Sequence, residues 1–188
     1  MSERPRDAFL MGERCYLRPL RETDIEGNWL HWFNDPEVTR YMLRGSFPTT
    51  VESQTDFYRS VTAGGDSDLV LAIVASDGDV HVGNIGLHRI DWQNRYAEYG
   101  VVIGETEFWG QGIGTEATRL ICRQGFDRLG LHRIWLGVFA DHDAAIRMYE
   151  RIGFKVEGTL REEILRDGRY QDKVVMGLLD EEFRAKNP

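Results

Sequence analysis

The sequence predicts one mixed α/β domain of the α+β kind, in which an antiparallel front half leads into a strand–helix–strand–helix unit. Three observations predict it. Between 68 and 105, short runs rich in Val, Ile and Leu alternate with turn residues, which is strand patterning. From 107 to 152 the apolar period switches to helical, back to strand, then to helical again. The dipeptide "DG" at 167–168 divides the last stretch into a hairpin.

Taken in order, "RCYLRPL" (14–20) alternates polar and apolar residues and reads as a first strand. "RETDIEGNWLHWF" follows as a helix with Thr23 or Asp24 as cap, placing Ile25, Trp29 and Trp32 near one face. "NDPE" (34–37) is a turn, and Pro36 opens a short helix. A further helix spans 48–61, where Thr50 followed by Ser53 is a weak cap signal. "DLVLAIVAS" (68–76), a "GD" hairpin turn at 78–79 and "VHVGNIGLHRID" (80–91) form two strands. Gly83 and Gly86 suggest a bulge or close backbone approach. "RYAEYGVVIGE" (95–105) is another strand. A helix then runs to about Arg128, a strand covers 129–140, a helix covers 141–152 and stops at Gly153, and two strands close the chain.

Composition limits the function. The chain has 188 residues, enough for a single domain over 1–188, with a net charge of −8 and no basic cluster. That argues against nucleic acid as a partner, because phosphate neutralisation supplies most of such affinity. It leaves a cationic substrate open. No apolar run reaches the length of a membrane span, and the N-terminus lacks a signal-peptide core, so the expected location is cytoplasmic and away from membranes. Cys15 and Cys122 read as buried thiols, and neither cysteines nor histidines show metal-ligand spacing; no metal is expected.

"EFWGQGIGTEATRL" (107–120) places Gly110, Gly112 and Gly114 just before a helical pattern. Such a stretch favours an anion at the helix N-terminus. A P-loop requires a lysine, yet Gly114 is followed by Thr115 and Glu116. A dinucleotide fingerprint requires Gly-x-Gly-x-x-Gly on an early strand–helix unit, whereas this is Gly-x-Gly-x-Gly, late in the chain. A turn that binds nothing is the plain alternative. The remaining reading is a pyrophosphate held by the amides of Gln111 to Thr115 and never transferred, as in coenzyme A.

"EFWGQGIGTEATRLICRQGF" together with "WLGVFADHDAAIRMYERIGFKVEG" resembles the GCN5-related N-acetyltransferase (GNAT) superfamily, and the likeness extends over nearly the whole chain. "WFNDPEVTRYM", "AEYGVVIG" and "EGTLREEILRDGRYQDKVVMGLL" resemble the branch of ribosomal-protein N-terminal, spermidine and amino-sugar acetyltransferases. The resemblance implies a central mixed, mostly antiparallel sheet, splayed between its fourth and fifth strands and flanked by helices. Acetyl-CoA is the implied co-substrate. Backbone atoms of Val101, Val102 and Ile103 would hold its pantetheine arm, and Gln111, Gly112, Ile113, Gly114 and Thr115 its pyrophosphate. Two departures stand out. Trp109 occupies a position where many members carry Arg or Gln. His142 occupies the usual Asn position, which puts its cofactor contact in doubt, and Asp141 is an equally good helix cap.

Two residues stand out for the chemistry. By spacing alone Tyr149 is an apolar-face tyrosine that packs; the resemblance implies an acid at the thioester sulfur. Glu98 lies on one strand face with Gly100 and Val102, opposite Tyr99, Val101 and Ile103. It is either a solvated strand-face residue or the base that draws the amine proton, directly or through water. The acceptor pocket is expected from the N-terminal helices and the last hairpin, with Trp32, Tyr41, Glu162 and Tyr170 as candidates. The expected activity is acetyl transfer to a primary amine, on a protein N-terminus, a polyamine or an amino-sugar. A non-catalytic acyl-CoA sensor or interaction domain is the alternative. Family habit leaves room for a homodimer through strand or helix exchange in the C-terminal half.

Overall fold

In the computed structural model, which describes residues 5–187, the alternating and Val/Ile/Leu-rich runs become strands of one eight-stranded sheet. The strands are β1 (Leu10–Met11), β2 (Cys15–Pro19), β3 (Leu69–Ala75), β4 (Val80–Asp91), β5 (Tyr96–Ile103), β6 (Arg133–Phe139), β7 (Lys155–Arg166) and β8 (Arg169–Leu179). Their order is β1-β2-β3-β4-β5-β6-β8-β7, with every neighbouring pair antiparallel except β5 and β6. The two-residue β1 lay outside the expected elements and shifts the numbering, so the expected fourth and fifth strands are β5 and β6.

The helices are α1 (Leu30–Trp32), α2 (Val51–Thr62), α3 (Ile113–Asp127), α4 (Asp143–Ile152) and α5 (Asp180–Lys186). The chain ends on α5, not on a strand. At the expected first helix, Ile25–Trp29 is π-wound and α1 continues it for only three residues. Gly27 inside it leaves helical geometry at ψ −154°. Neither Thr23 nor Asp24 caps it; Asp24 is buried and accepts two hydrogen bonds from Arg18, at 2.9 and 2.7 Å, and one from the Arg21 amide. The Thr50–Ser53 signal is stronger than its residue types suggest, because each side chain bonds the other's backbone N–H across the start of α2. Gly153 ends α4 at φ 127°, a left-handed position suited to glycine.

The two faces of the sheet bury different clusters. Ile85, Leu87, Ala97 and Tyr99 pack with Ala117, Ile121 and Phe126 of α3. On the opposite face, Trp29, Trp32, Phe33 and Ala72 pack with Phe57 of α2 and with Val102. The predicted alternation along β5 therefore separates a core face from a face turned towards the N-terminal helices. That second face is fixed by a buried polar chain. Burial alone would raise the Asp24 carboxyl, but the bonds from Arg18 and Arg21 outweigh it and hold it below the usual carboxylate range. His81 Nδ1 lies 3.6 Å from Asp24, and burial lowers its pKa. With its amide oriented to satisfy both ends, Asn84 donates to His81 Nε2 at 2.9 Å and accepts from Trp29 Nε1 at 2.7 Å.

Candidate active site

The site begins where β5 and β6, the one parallel pair among the described residues, part. β5 and β6 are in register at Tyr96–Arg133, Ala97–Ile134 and Glu98–Trp135, and pairing ends there although β5 continues to Ile103 and β6 to Phe139. From Tyr99 onward, β5 is paired with β4 on one side only and presents its other edge to an opening. Backbone groups along such an edge need partners, and an extended arm of amides can supply them.

The glycine stretch lies beyond the open end. Gly110 and Gly112 have φ of 73° and 85°, and Gly112 is the N-cap of α3. No side chain caps that end, so the first N–H groups of α3 are left for an external acceptor. Glu116, the acid of the first turn, is turned away. It accepts from the backbone N–H of Glu13, Arg14 and Cys15 at 2.8, 2.8 and 3.0 Å. Burial works against that charge, but the three amides prevail and hold its carboxyl below the usual range. The same anchor brings Arg14 beside the loop, where its guanidinium donates to the Gln111 carbonyl at 3.4 Å. The loop thus has a cation that sequence reasoning missed, 97 residues away in the chain. Trp109 has a different job: its indole N–H donates to the Ile103 carbonyl at 2.8 Å and ties off the end of β5. An uncapped, glycine-shaped helix N-terminus with a neighbouring guanidinium fits a pyrophosphate.

Tyr149 is buried in the second turn of α4, with its ring edge-on to Tyr99 at 5.8 Å between centroids. Tyr99 is the first β5 residue past the last β5–β6 pair, so Tyr149 stands at the crotch of the fork. Burial raises the Tyr149 hydroxyl well above its ordinary pKa and keeps it a proton donor. The N-cap of α4 is His142, not Asp141, and its imidazole makes no capping bond. That ring instead stacks on Tyr41, 3.9 Å between centroids and 10° from parallel, and burial lowers its pKa so that it is neutral near pH 7.

Glu98 is on the other face, a quarter exposed and ion-paired with Arg89. It forms one wall of a cleft of about 530 Å³ that also takes in Phe33, Asp68, His88, Gly100 and Val102. Directly across from Glu98 in the β4–β5 register is His88, whose Nδ1 bonds Asp68 Oδ1 at 3.0 Å. The other ring edge lies over two glycines: a Cβ on Gly86 would sit 2.5 Å from His88 Nε2, and one on Gly100 would sit 3.7 Å from it. Burial would raise the Asp68 carboxyl, but hydrogen bonds from Ser67 and His88 lower it overall.

The expected acceptor residues separate. Trp32 is packed core, with its N–H donated to Glu105 Oε1 at 2.9 Å and its ring against Gly104. Tyr41 lines a second cleft of about 590 Å³, together with Arg40, Asp141 and Arg166. Glu162 and Tyr170 are exposed on the β7–β8 hairpin, and neither borders the Glu98 cleft. Both cysteines are buried thiols whose pKa burial raises. No helix among the described residues is long and apolar enough to cross a membrane.

A splayed parallel pair with an anion-ready helix N-terminus beyond it and a buried tyrosine at its crotch defines an acetyltransferase fold, and the chain belongs to the GNAT acetyltransferase family, whose domain profile matches residues 14–155. It is 31% identical over 181 residues to the uncharacterized N-acetyltransferase p20 of Bacillus licheniformis, covering 93% of this chain and 97% of that protein. It is 36% identical over 182 residues to the putative ribosomal N-acetyltransferase YdaF of Bacillus subtilis (97% and 91% covered). To the spermidine N(1)-acetyltransferase of Escherichia coli K12 it is 28% identical over 172 residues (91% and 89% covered). The fold matches a spermidine N-acetyltransferase from Vibrio cholerae, solved with CoA and spermine, at a TM-score of 0.84 with 24% identity, over 92% of this chain and 99% of that one. This chain is an N-acetyltransferase with a mixed, mostly antiparallel GNAT sheet.

Proposed function

We propose that the protein transfers the acetyl group of acetyl-CoA directly to a primary amine of a polyamine-like acceptor. The fork between β5 and β6 supports this reading: Glu98 is the last β5 residue paired with β6 and lines the cleft, and Tyr149 packs on Tyr99, the first residue beyond it. The backbone of Val101 and Val102 offers hydrogen bonds to the pantetheine arm; one lone pair of the Ile103 carbonyl is already taken by Trp109. The amides of Gln111 to Thr115 hold the pyrophosphate, and Arg14 adds charge beside them. Glu98 draws the amine proton, directly or through water, and Tyr149 donates to the departing sulfur. The net charge of −8 and the spermidine acetyltransferase relatives support a cationic acceptor.

The likeness to the putative ribosomal N-acetyltransferase supports a second acceptor, a protein N-terminus. Thiol release from acetyl-CoA, followed with spermidine, glucosamine and short peptides, separates the two. Turnover with spermidine is expected. Turnover with peptides alone would transfer the assignment to N-termini.

A further inference from the structure

Nothing in the function proposed above uses His88 or Asp68, yet the cleft is built around them. Asp68 accepts from Ser67 Oγ at 2.7 Å as well as from His88 Nδ1. The Arg89 amide also points at it, at 3.4 Å, just where the β4–β5 register breaks between His88 and Asp91 and Arg89 takes a φ of 49°. A bulge in a strand re-aims side chains, and such bulges cluster beside active sites. Here it sends Arg89 onto Glu98 and leaves the His88 ring over Gly86 and Gly100. Any larger residue at 86 would fill the space that His88 Nε2 occupies.

With Nδ1 committed to a carboxylate, the imidazole carries its proton on that nitrogen and keeps Nε2 as a free acceptor. Glu98, facing it across the strands, already has the Arg89 guanidinium as an ion-pair partner. An ordinary imidazole is more basic than an ordinary carboxylate by about two pK units, and so closer to the pH at which a general base works best. We infer that His88, oriented by Asp68, is the residue on which the acceptor amine's proton comes to rest, passed to Nε2 through Glu98 or water. The inference rests on the acetyl-transfer reading above. An ammonium loses two protons on becoming an amide as the C–N bond forms and the C–S bond breaks. One goes to His88 and then to solvent. The other replaces the phenol proton that Tyr149 gives to the sulfur. The charged groups facing the imidazole are Asp68 before β3, Arg89 on β4, Glu98 on β5 and Arg44 from the N-terminal segment.

The test is the pH dependence of kcat/KM for spermidine and acetyl-CoA in wild type, His88→Asn and Asp68→Asn. Asparagine at 88 keeps an N–H for Asp68 but provides no base, and unchanged melting temperatures with and without acetyl-CoA establish that the variant is folded. His88→Asn is expected to lose about 10²-fold at neutral pH. Its acid limb disappears, and the deficit narrows as pH approaches the amine's own pKa, about 10.4 for a lysine-like group. In Asp68→Asn kcat/KM falls less than in His88→Asn and the limb persists, because the imidazole remains but loses the carboxylate that orients it. A folded His88→Asn with the wild-type profile would overturn the role of His88 while leaving acetyl transfer intact. A wild type that turns over no amine would overturn both.

Discussion

Gly112→Val tests the loop most sharply. Gly112 holds φ 85° and ψ −3° as the N-cap of α3. A Cβ there would meet only Arg14, at 3.7 Å, which is ordinary contact, so collision is not the source of the effect. The cost comes from the left-handed backbone, about 1–3 kcal/mol for a residue that resists it. The free loop can relieve that strain by relaxing, but holding a pyrophosphate requires the original geometry, so the strain reappears as lost affinity. At about 1.4 kcal/mol per tenfold, CoA binding weakens by about 5- to 150-fold. Isothermal titration of CoA into both proteins, with thermal melts as the folding control, reads this directly. A variant that melts earlier but binds CoA as tightly as wild type would show that the strain is real and that the loop does not hold the phosphates.

Tyr149→Phe is expected to lower kcat by at least about tenfold with little change in KM for acetyl-CoA, since it removes only the proton donor; steady-state kinetics check the split. Arg14→Ala is expected to raise the acetyl-CoA Kd by about two- to fivefold at low salt, and the difference should shrink at high ionic strength, as for other exposed charges. Asp24→Ala leaves Arg18 buried without its partner and should cost about 3–5 kcal/mol, or about 6–20 °C in Tm. Because the Asp24 carboxyl is held below its unfolded value, its stabilisation is complete above that value, about pH 3.9, and is lost as pH falls through the folded pKa. Denaturation curves should therefore show the gap between wild type and variant closing only in acid.

Strands and glycines were legible because local pattern determines them. The span of β4 was read as it stands, and Gly153 and the Asp167–Gly168 turn end their elements as glycine chemistry requires. Features that depend on contacts between elements were not legible. Asp24 looks like a cap in a linear reading, yet it turns back to pair with Arg18 on β2, a contact only six residues away that residue types alone do not announce. Arg14 reaches the loop only because Glu116 gathers the amides of the β1–β2 turn. A tight two-residue turn at 78–79 would set Arg89, not His88, opposite Asp68. The wider turn at 76–79 and the irregularity at Ile73–Val74 change that register, and no single residue type announces them. The acceptor candidates failed for a related reason: aromatic and acidic residues say little about whether they face a cleft, the core or water.

The work proposed for the fork is to move an acetyl group to an amine. Amine-dependent thiol release from acetyl-CoA, with product mass confirming the acetylated amine, measures it most directly. Release that requires spermidine, and that Tyr149→Phe slows, is the predicted result. Acetyl-CoA that raises the melting temperature while no amine in the panel gives release would contradict the account and leave a sensor of the same fold.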